Sequence, residues 1–409
     1  MALWALGVLT AINLVNYLDR YVVSAIATPL KGAMALTDTQ LGWLTPAFML
    51  VYMVTAPLFG AWGDRGSRTR PIALGVFIWS LATLLSGFAH SYGQLLAGRA
   101  IVGIGEAAYV AIAPALLADC FDAKGRGRVY AVLNMAIPVG AALGYIVGGQ
   151  VSTHFGWRAA FFVAGVPGLV LSLAVLRLPD PPRGVQDGVQ PPAAARSGTA
   201  GSLAIYLDLL RRWPYMIVVL GYAAYTFALG GLAFWMPSFL ERVRHVPTAE
   251  ATTGFGEIVL LTGFLGTFIG GWLGDFFLRR NAQAYLWFSG VVTLLAAPCA
   301  LLALTAPSAA VYYPATFVAE LLLFMSTGPI NATIVNVSGP LERASAVALS
   351  MFAIHLLGDV PSPLIIGRVS DLSSLGRAVL VVPLAVAVAG LIWLLAARVN
   401  ARATPPTAA

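Results

Sequence analysis

Charge is the scarcest property of this chain. Only 10% of its 409 residues are charged and 59% are hydrophobic, whereas soluble domains carry about 25% charged residues. A water-soluble globular protein is excluded. No long polar region offers room for a soluble domain, and the first apolar run, residues 2–30, continues past the length of a cleavable signal, so neither an appended domain nor a removable leader is expected. Cysteine is almost absent. Cys120 and Cys299 lie near opposite ends of different halves of the chain, so free buried thiols are expected rather than a disulfide. Neither has metal-ligand spacing around it, and no metal or cofactor is expected. Basic patches interleaved with aromatics, the footprint of nucleic-acid binding, are also missing. The net charge of +7 therefore needs another origin.

Long apolar runs are what the chain has instead. Runs long enough to cross a bilayer, at roughly 20 residues each, occur at 2–30, 38–63, 70–89, 92–118, 124–150 and 157–178, and again at 212–240, 252–277, 283–304, 309–336, 344–367 and 376–398. The expected fold is an all-α polytopic membrane protein with twelve transmembrane helices. With both termini cytoplasmic, the inner loops hold Arg65, Arg68, Arg70, Lys124, Arg126, Arg128, Arg177, Arg183, Arg196, Arg211, Arg212, Arg279, Arg280 and Arg343, with Arg398 and Arg402 at the end. The outer loops hold Lys31, Arg158, Arg242, Arg244, Arg368 and Arg377. This asymmetry fixes the orientation and accounts for the net charge. A multi-pass protein of the cell (inner) membrane, working as a monomer, is expected.

Two six-helix bundles are expected, at 1–178 and 212–398, joined by a cytoplasmic linker at 179–211 and followed by a tail at 399–409. The linker is rich in Pro, Gly, Ala and Ser. Near its end Leu203, Tyr206, Leu210 and Trp213 alternate with Asp208, Arg211 and Arg212. That pattern suits an interfacial helix or the start of the seventh span. An internal repeat supports the division. "GAWGDRGSR" after the second span and "GWLGDFFLR" after the eighth share spacing and place, through Gly60, Gly63, Asp64 and Arg68 and through Gly271, Gly274, Asp275 and Arg279. Paired bundles of this kind are a transporter plan, with the substrate site near the midplane. Asp64, Arg65, Arg68, Asp275 and Arg279 are the expected cytoplasmic gate, where carboxylates meet helix N-termini and arginines meet carboxylates or lipid phosphates.

Charges inside the spans carry the chemistry. Asp19 and Arg20 sit within "NYLDRY" in the first span, and Arg99 and Glu106 share one face of the fourth, seven residues apart. An ionised group in hydrocarbon costs at least about 2.5–3.5 kcal/mol on insertion scales and marks an ion or substrate path. Adjacent helical residues point about 100° apart, so Asp19 and Arg20 do not neutralise each other. At 1.5 Å per residue Glu106 and Asp19 fall within about 6 Å in depth, so Arg20 and Glu106 are expected to meet. Asp19 and Glu106 are proton-coupling candidates. Arg20, Arg99 and Glu320 of the tenth span are candidates for a substrate or charge switch, with a structural role for Arg99 equally open. His355 and Asp359 of the eleventh span stand at i and i+4, as a proton relay or as a satisfied packed histidine. Glycines at 140, 144 and 148 of the fifth span favour close helix packing.

The first loop resembles the major facilitator signature G-x-L-a-D-r-x-G-r, departing from it at Trp62 and Ser67. Arg99, Gly103 and Gly105 resemble the fourth-helix signature R-x-x-x-G-x-G of proton-coupled members. "LVNYLDRY", "GRAIVGIGEAAYVAIAPALLAD", "NMAIPVGAALGYIVGG", "LPDPPRG", "STGPIN" and "HLLGD" together resemble the Spinster family within that superfamily. The resemblance implies alternating access, with animal relatives that move sphingosine-1-phosphate or lysophospholipids. The leading expectation is a proton-coupled transporter of an amphipathic anionic lipid-like molecule. The alternative is a proton-coupled transporter of small organic anions or drugs. Its partners are then substrate, protons and membrane lipids. A membrane hydrolase is disfavoured, because Ser350 and His355 are five residues apart and face partly different ways.

Overall fold

The structure is a computed structural model that describes residues 1–122, 125–183, 199–339 and 342–403. Lys124, Arg196, linker residues 184–198 and tail residues 404–409 lie outside the described residues, as does the side chain of Leu203. Among the described residues, twelve helices are long and apolar enough to span a membrane: Ala2–Ala25, Asp38–Arg65, Thr69–Ser86, Tyr92–Cys120, Arg126–Phe155, Trp157–Val175, Trp213–Arg242, Thr248–Leu278, Ala284–Thr305, Ala309–Asn336, Ser345–Leu372 and Leu375–Ala401. Large apolar side chains such as Val54, Leu58, Val170, Leu173, Phe268 and Leu384 stand exposed on their outer surfaces. Water would make such patches a liability, and a bilayer makes them its contact surface.

Three of these spans break or change register shortly before a proline. The first apolar run is a helix to Ala25, a break at Ile26, and a short helix Ala27–Met34. Pro29 thereby falls in the first turn of the second piece, where its missing N–H has no helical acceptor to lose. The tenth span repeats the device. It pauses at Met325 and Ser326, so that Pro329 enters the first turn of Thr327–Asn336. In the eleventh, Arg343–Ile354 passes through one π-helical turn, His355–Asp359, before Pro361 opens the last segment. A π turn inserts one extra residue and re-aims the side chains beside it.

The chain forms two compact units. One comprises Met1–Ala195 with Met236–Glu257, the other Arg196–Trp235 with Ile258–Ala409. The end of the seventh span and the start of the eighth thus join the first unit, where a division at the linker would place them in the second. Inside the first unit the glycines of the fifth span lie against the backbone of the first. A Cβ at Gly140 would stand 2.5 Å from the Leu14 carbonyl oxygen, and one at Gly144 2.6 Å from that of Leu18. Only glycine permits this approach, which seats the first span and fixes how Asp19 and Arg20 are presented.

In the second unit a separate helix, Thr199–Arg211, precedes the seventh span. Leu207, Leu210 and Trp213 are exposed while Leu209 is buried. Arg212 grips both oxygens of Glu342, at 2.7 and 2.9 Å. A fork-to-fork pair of this kind fixes orientation as well as position.

Candidate functional site

Four charged side chains meet inside the first unit. Arg20 Nε donates to Glu106 Oε2 at 2.7 Å. Arg99 Nη1 stands 3.7 Å from Asp19 Oδ2, and the Thr83 hydroxyl of the third span donates to the same oxygen at 2.8 Å. Two acid–base pairs thus lie side by side, each joining the first span to the fourth. Adjacent residues of one helix serve different partners because their side chains diverge. Asp19, Arg99 and Glu106 are almost wholly buried, whereas Arg20 keeps 17% of its side chain exposed.

Aromatic rings complete the Arg20 environment. Its guanidinium carbon lies 5.1 Å from the centroid of Tyr17, 4.9 Å from Phe48 and 5.4 Å from Tyr52. Phe48 also faces Arg99 at 5.2 Å. Each such contact contributes about 0.5–2 kcal/mol, more when desolvated, so the rings hold a positive charge in place whether or not its carboxylate partner is ionised. None of these rings stands out in the sequence, where Phe48 and Tyr52 read as ordinary apolar residues of the second span.

In the second unit Glu320 is 3% exposed and makes no side-chain hydrogen bond or ion pair among the described residues. His355 Nδ1 lies 2.7 Å from Asp359 Oδ2, each about a quarter exposed. Gly358 between them is pressed against Thr226 of the seventh span, and that hydroxyl donates to the Ile354 carbonyl at 3.1 Å.

The loop after the second span is organised by Arg68. Asp64 and Arg65 are exposed. Arg68 is buried, and its guanidinium contacts Asp119 of the fourth span, Asp180 at 2.8 Å, and the Pro181 carbonyl, while its backbone N–H donates to Asp180 at 2.8 Å. Arg183 donates to the Gly63 and Gly66 carbonyls, at 2.5 and 2.8 Å. A cation at a helix C-terminus satisfies carbonyls that lack helical partners. The chain leaving the sixth span is thereby clasped to the base of the second. In the repeat, Asp275 accepts from the Tyr285 hydroxyl at 2.5 Å, and Arg279 is exposed.

Partial burial works to raise the Asp180 carboxyl, but the Arg68 contacts outweigh it and hold the group below the usual aspartate range. A depressed carboxylate contributes stability that is present above its unfolded value and is lost as pH falls through its folded value. Asp180→Asn is therefore expected to lower the melting temperature at neutral pH, by the equivalent of about 2 kcal/mol. The deficit should hold down to about pH 5 and shrink below about pH 4. Melting curves of both proteins across that range check it, and a deficit that grows on acidification contradicts it.

At the opposite end of the spans, Asp38 begins the second span and is 2% exposed. Arg242 grips both its oxygens at 2.7 and 2.8 Å, and Lys31 reaches it at 2.5 Å. Composition counts these as loop charges. Their partnership depends on the end of the seventh span joining the first unit, which no local pattern announces.

Comparison with known proteins places the chain. Residues 9–358 match the Major Facilitator Superfamily. Protein spinster homolog 3 of Danio rerio is 34% identical over 384 residues, covering 90% of this chain and 76% of that protein. Sphingosine-1-phosphate transporter SPNS2 of Xenopus tropicalis is 32% identical over 420 residues, covering 95% and 80%. A crystal structure of a bacterial homolog to the human lysosomal transporter Spinster, in an inward-facing and unoccupied conformation, superposes with a TM-score of 0.87 at 24% identity, covering 100% of this chain and 99% of that one. Twelve spans, the repeated loop, the paired charges of the first and fourth spans and these relatives agree: the chain belongs to the Spinster family of membrane transporters within the major facilitator superfamily.

Proposed function

We propose that this protein is a proton-coupled secondary transporter of an amphipathic, anionic, lipid-like molecule of lysophospholipid or sphingoid-phosphate type, working by alternating access. Glu106 carries the coupled proton, Asp19 shares that task, and Arg20 serves either Glu106 or the substrate headgroup. The observation that carries this is the Arg20–Glu106 pair, in which a wholly buried carboxylate is bound to a partly open guanidinium. When Glu106 is ionised it holds Arg20. When it is protonated the guanidinium is released, still seated among Tyr17, Phe48 and Tyr52, and its planar fork suits a phosphate. The ionised Glu106 carboxylate and the substrate headgroup then compete for one arginine, which links proton binding at Glu106 to substrate binding at Arg20, as coupling requires. The relatives named sphingosine-1-phosphate transporters support the substrate class.

The basic face is cytoplasmic in this scheme, with both termini inside the cell (inner) membrane. Arg68 with Asp119 organises the cytoplasmic gate, and Asp38 with Arg242 fastens the outer side. Asp64, Arg65 and Arg279 meet their partners elsewhere in the cycle, Asp275 belongs to the same gate and is held here by Tyr285, and Glu320 and the His355–Asp359 pair serve the second unit's share of substrate or proton binding. The carrier works as a monomer. Purified protein in liposomes with an imposed pH gradient tests the proposal, against a panel of tritiated sphingosine-1-phosphate, lysophospholipids, small organic anions and drugs. Accumulation of the lipids that collapses with a protonophore is expected. Movement of the soluble anions or drugs alone would favour the narrower organic-anion carrier, and flux indifferent to the gradient would remove the coupling.

A further inference from the structure

Asn16 is wholly buried in the middle of the first span, and neither its amide nitrogen nor its amide oxygen has a hydrogen-bond partner. An asparagine amide offers two donors and two lone-pair sites, and burying all four unmade is a cost that a leucine would avoid. Asn13, one turn earlier, shows the ordinary use of such a group: it donates to the Leu133 carbonyl at 2.9 Å and ties the first span to the fifth. Asn16 ties nothing. It stands at i−3 from Asp19 and i−4 from Arg20, on the face that carries both.

The neighbours show the same incompleteness in a regular way. Asp19 commits Oδ2 to Thr83 and Arg99 and leaves Oδ1 without a partner. Glu106 commits Oε2 to Arg20 and leaves Oε1 without one. Arg99 leaves Nε without a partner, and its Nη1 makes no hydrogen bond, standing at the 3.7 Å ion-pair distance from Asp19. Asn16, Asp19, Arg99 and Glu106 are all more than nine-tenths buried. Native interiors leave few such atoms unpaired, and those that cluster are bridged by bound water. A metal cation does not suit this set, because the Arg99 and Asn16 N–H groups need an acceptor while the three oxygens need a donor. Water is both.

We propose that the first unit holds a short chain of bound water molecules running from Asp19 Oδ1 past the Asn16 amide to Glu106 Oε1, a proton path that avoids the exposed side of Arg20. This rests on the role given above to Glu106 as a proton carrier. The step balances without any outside reagent. Protonated Glu106 gives its proton from Oε1 to the nearest water, each water passes one along, and the last delivers one to Asp19 Oδ1. Glu106 ends ionised, Asp19 ends neutral, and the total charge is unchanged. The Asn16 amide holds the middle of the chain by donating and accepting without ionising. The charged and titratable groups around it are Asp19, Arg20 and Tyr17 of the first span, Tyr52 of the second, and Arg99, Glu106 and Tyr109 of the fourth, with the neutral Thr83 of the third.

Infrared spectroscopy of the purified protein in lipid tests the path without any substrate. Protonated buried carboxyls give C=O stretching bands, which Glu106→Gln and Asp19→Asn assign, and transfer to heavy water reports how fast their protons exchange. Wild type is expected to exchange both within the mixing time. Asn16→Leu should slow exchange at one or both carboxyls by at least about tenfold, the equivalent of one hydrogen bond lost from the path, while Asn16→Ser, which keeps a hydroxyl and room for water, stays near wild type. Asn16→Val replaces the leucine variant if that fails to fold. Thermal melting gives an independent reading: removal of a water-bridged amide lowers the melting temperature, and removal of a truly unpaired one raises it. Wild-type exchange in Asn16→Leu or Asn16→Val, or a raised melting temperature, overturns the water chain. If neither acid variant removes a carboxyl band at any pH, the proton-carrier role of these residues fails instead.

Discussion

Replacing Glu106 by glutamine is expected to leave the carrier folded and able to bind substrate, and to abolish accumulation driven by a pH gradient. Glutamine has the shape of a protonated glutamic acid, so the substitution fixes the state in which Arg20 is released. Folding should survive because Arg20 is not stranded: three aromatic rings within 5.4 Å and partial exposure support its charge. Transport driven by substrate exchange across a membrane without a pH gradient should continue. What is lost is the alternation of Arg20 between two partners, and with it the dependence on protons. If the pair instead merely fastens the first span to the fourth, glutamine weakens the protein and leaves the pH dependence intact. Uptake in liposomes with and without a gradient, beside a melting curve, distinguishes the two. Accumulation against a gradient with wild-type pH dependence defeats the switch.

Much of this arrangement is legible before any coordinates. All twelve spans are, because hydrocarbon thickness imposes one length scale and allows few charges. The Arg20–Glu106 contact follows from depth, since both residues count to nearly the same level from one membrane surface. Depth leaves rotation open. It allows Asp19 to face anywhere around the first span, and Arg99, which as a sequence feature belongs with Glu106 on one helical face, takes Asp19 and shares Phe48 with Arg20. Thr83, Phe48 and Tyr52 carry no such mark, because nothing in an apolar span distinguishes the residue that faces a charge from the one that faces lipid. The same limit applies at the membrane surfaces. The repeated loop marks Asp64 and Arg68 alike, yet the buried member is Arg68, and two of its acceptors come from the chain after the sixth span, 112 and 113 residues away. The partnership of Asp38 with Arg242 spans 204 residues. Pairings at such separations are set by how helices pack, which local pattern does not encode. The glycines of the fifth span are the exception, since their spacing of four residues announces a close approach that Gly140 and Gly144 make.

Arg20→Lys separates charge from geometry and carries the second large expected effect. Lysine keeps the positive charge, so Glu106 is not left as a lone buried anion, a loss that costs about 3–5 kcal/mol when a buried pair is broken outright. The melting temperature is therefore expected to stay close to that of wild type. Binding is another matter. The guanidinium is planar, lies among Tyr17, Phe48 and Tyr52 at 4.9–5.4 Å, and has further N–H groups besides the Nε that holds Glu106. It can turn a two-pronged face to a phosphate while its ring contacts persist. An ammonium is compact and strongly hydrated, with no plane to stack and no fork to offer. Affinity for an anionic lipid headgroup should fall by about tenfold or more, the equivalent of about 1.4 kcal/mol, and pH-driven uptake should fall with it. Equilibrium binding of tritiated sphingosine-1-phosphate measures the first and liposome uptake the second. A lysine variant with wild-type affinity and a wild-type melting point means that charge alone serves at this position, and removes the headgroup contact from the role of Arg20. The contrast with Glu106→Gln is then informative, because that variant is expected to keep affinity and lose coupling while this one loses affinity first.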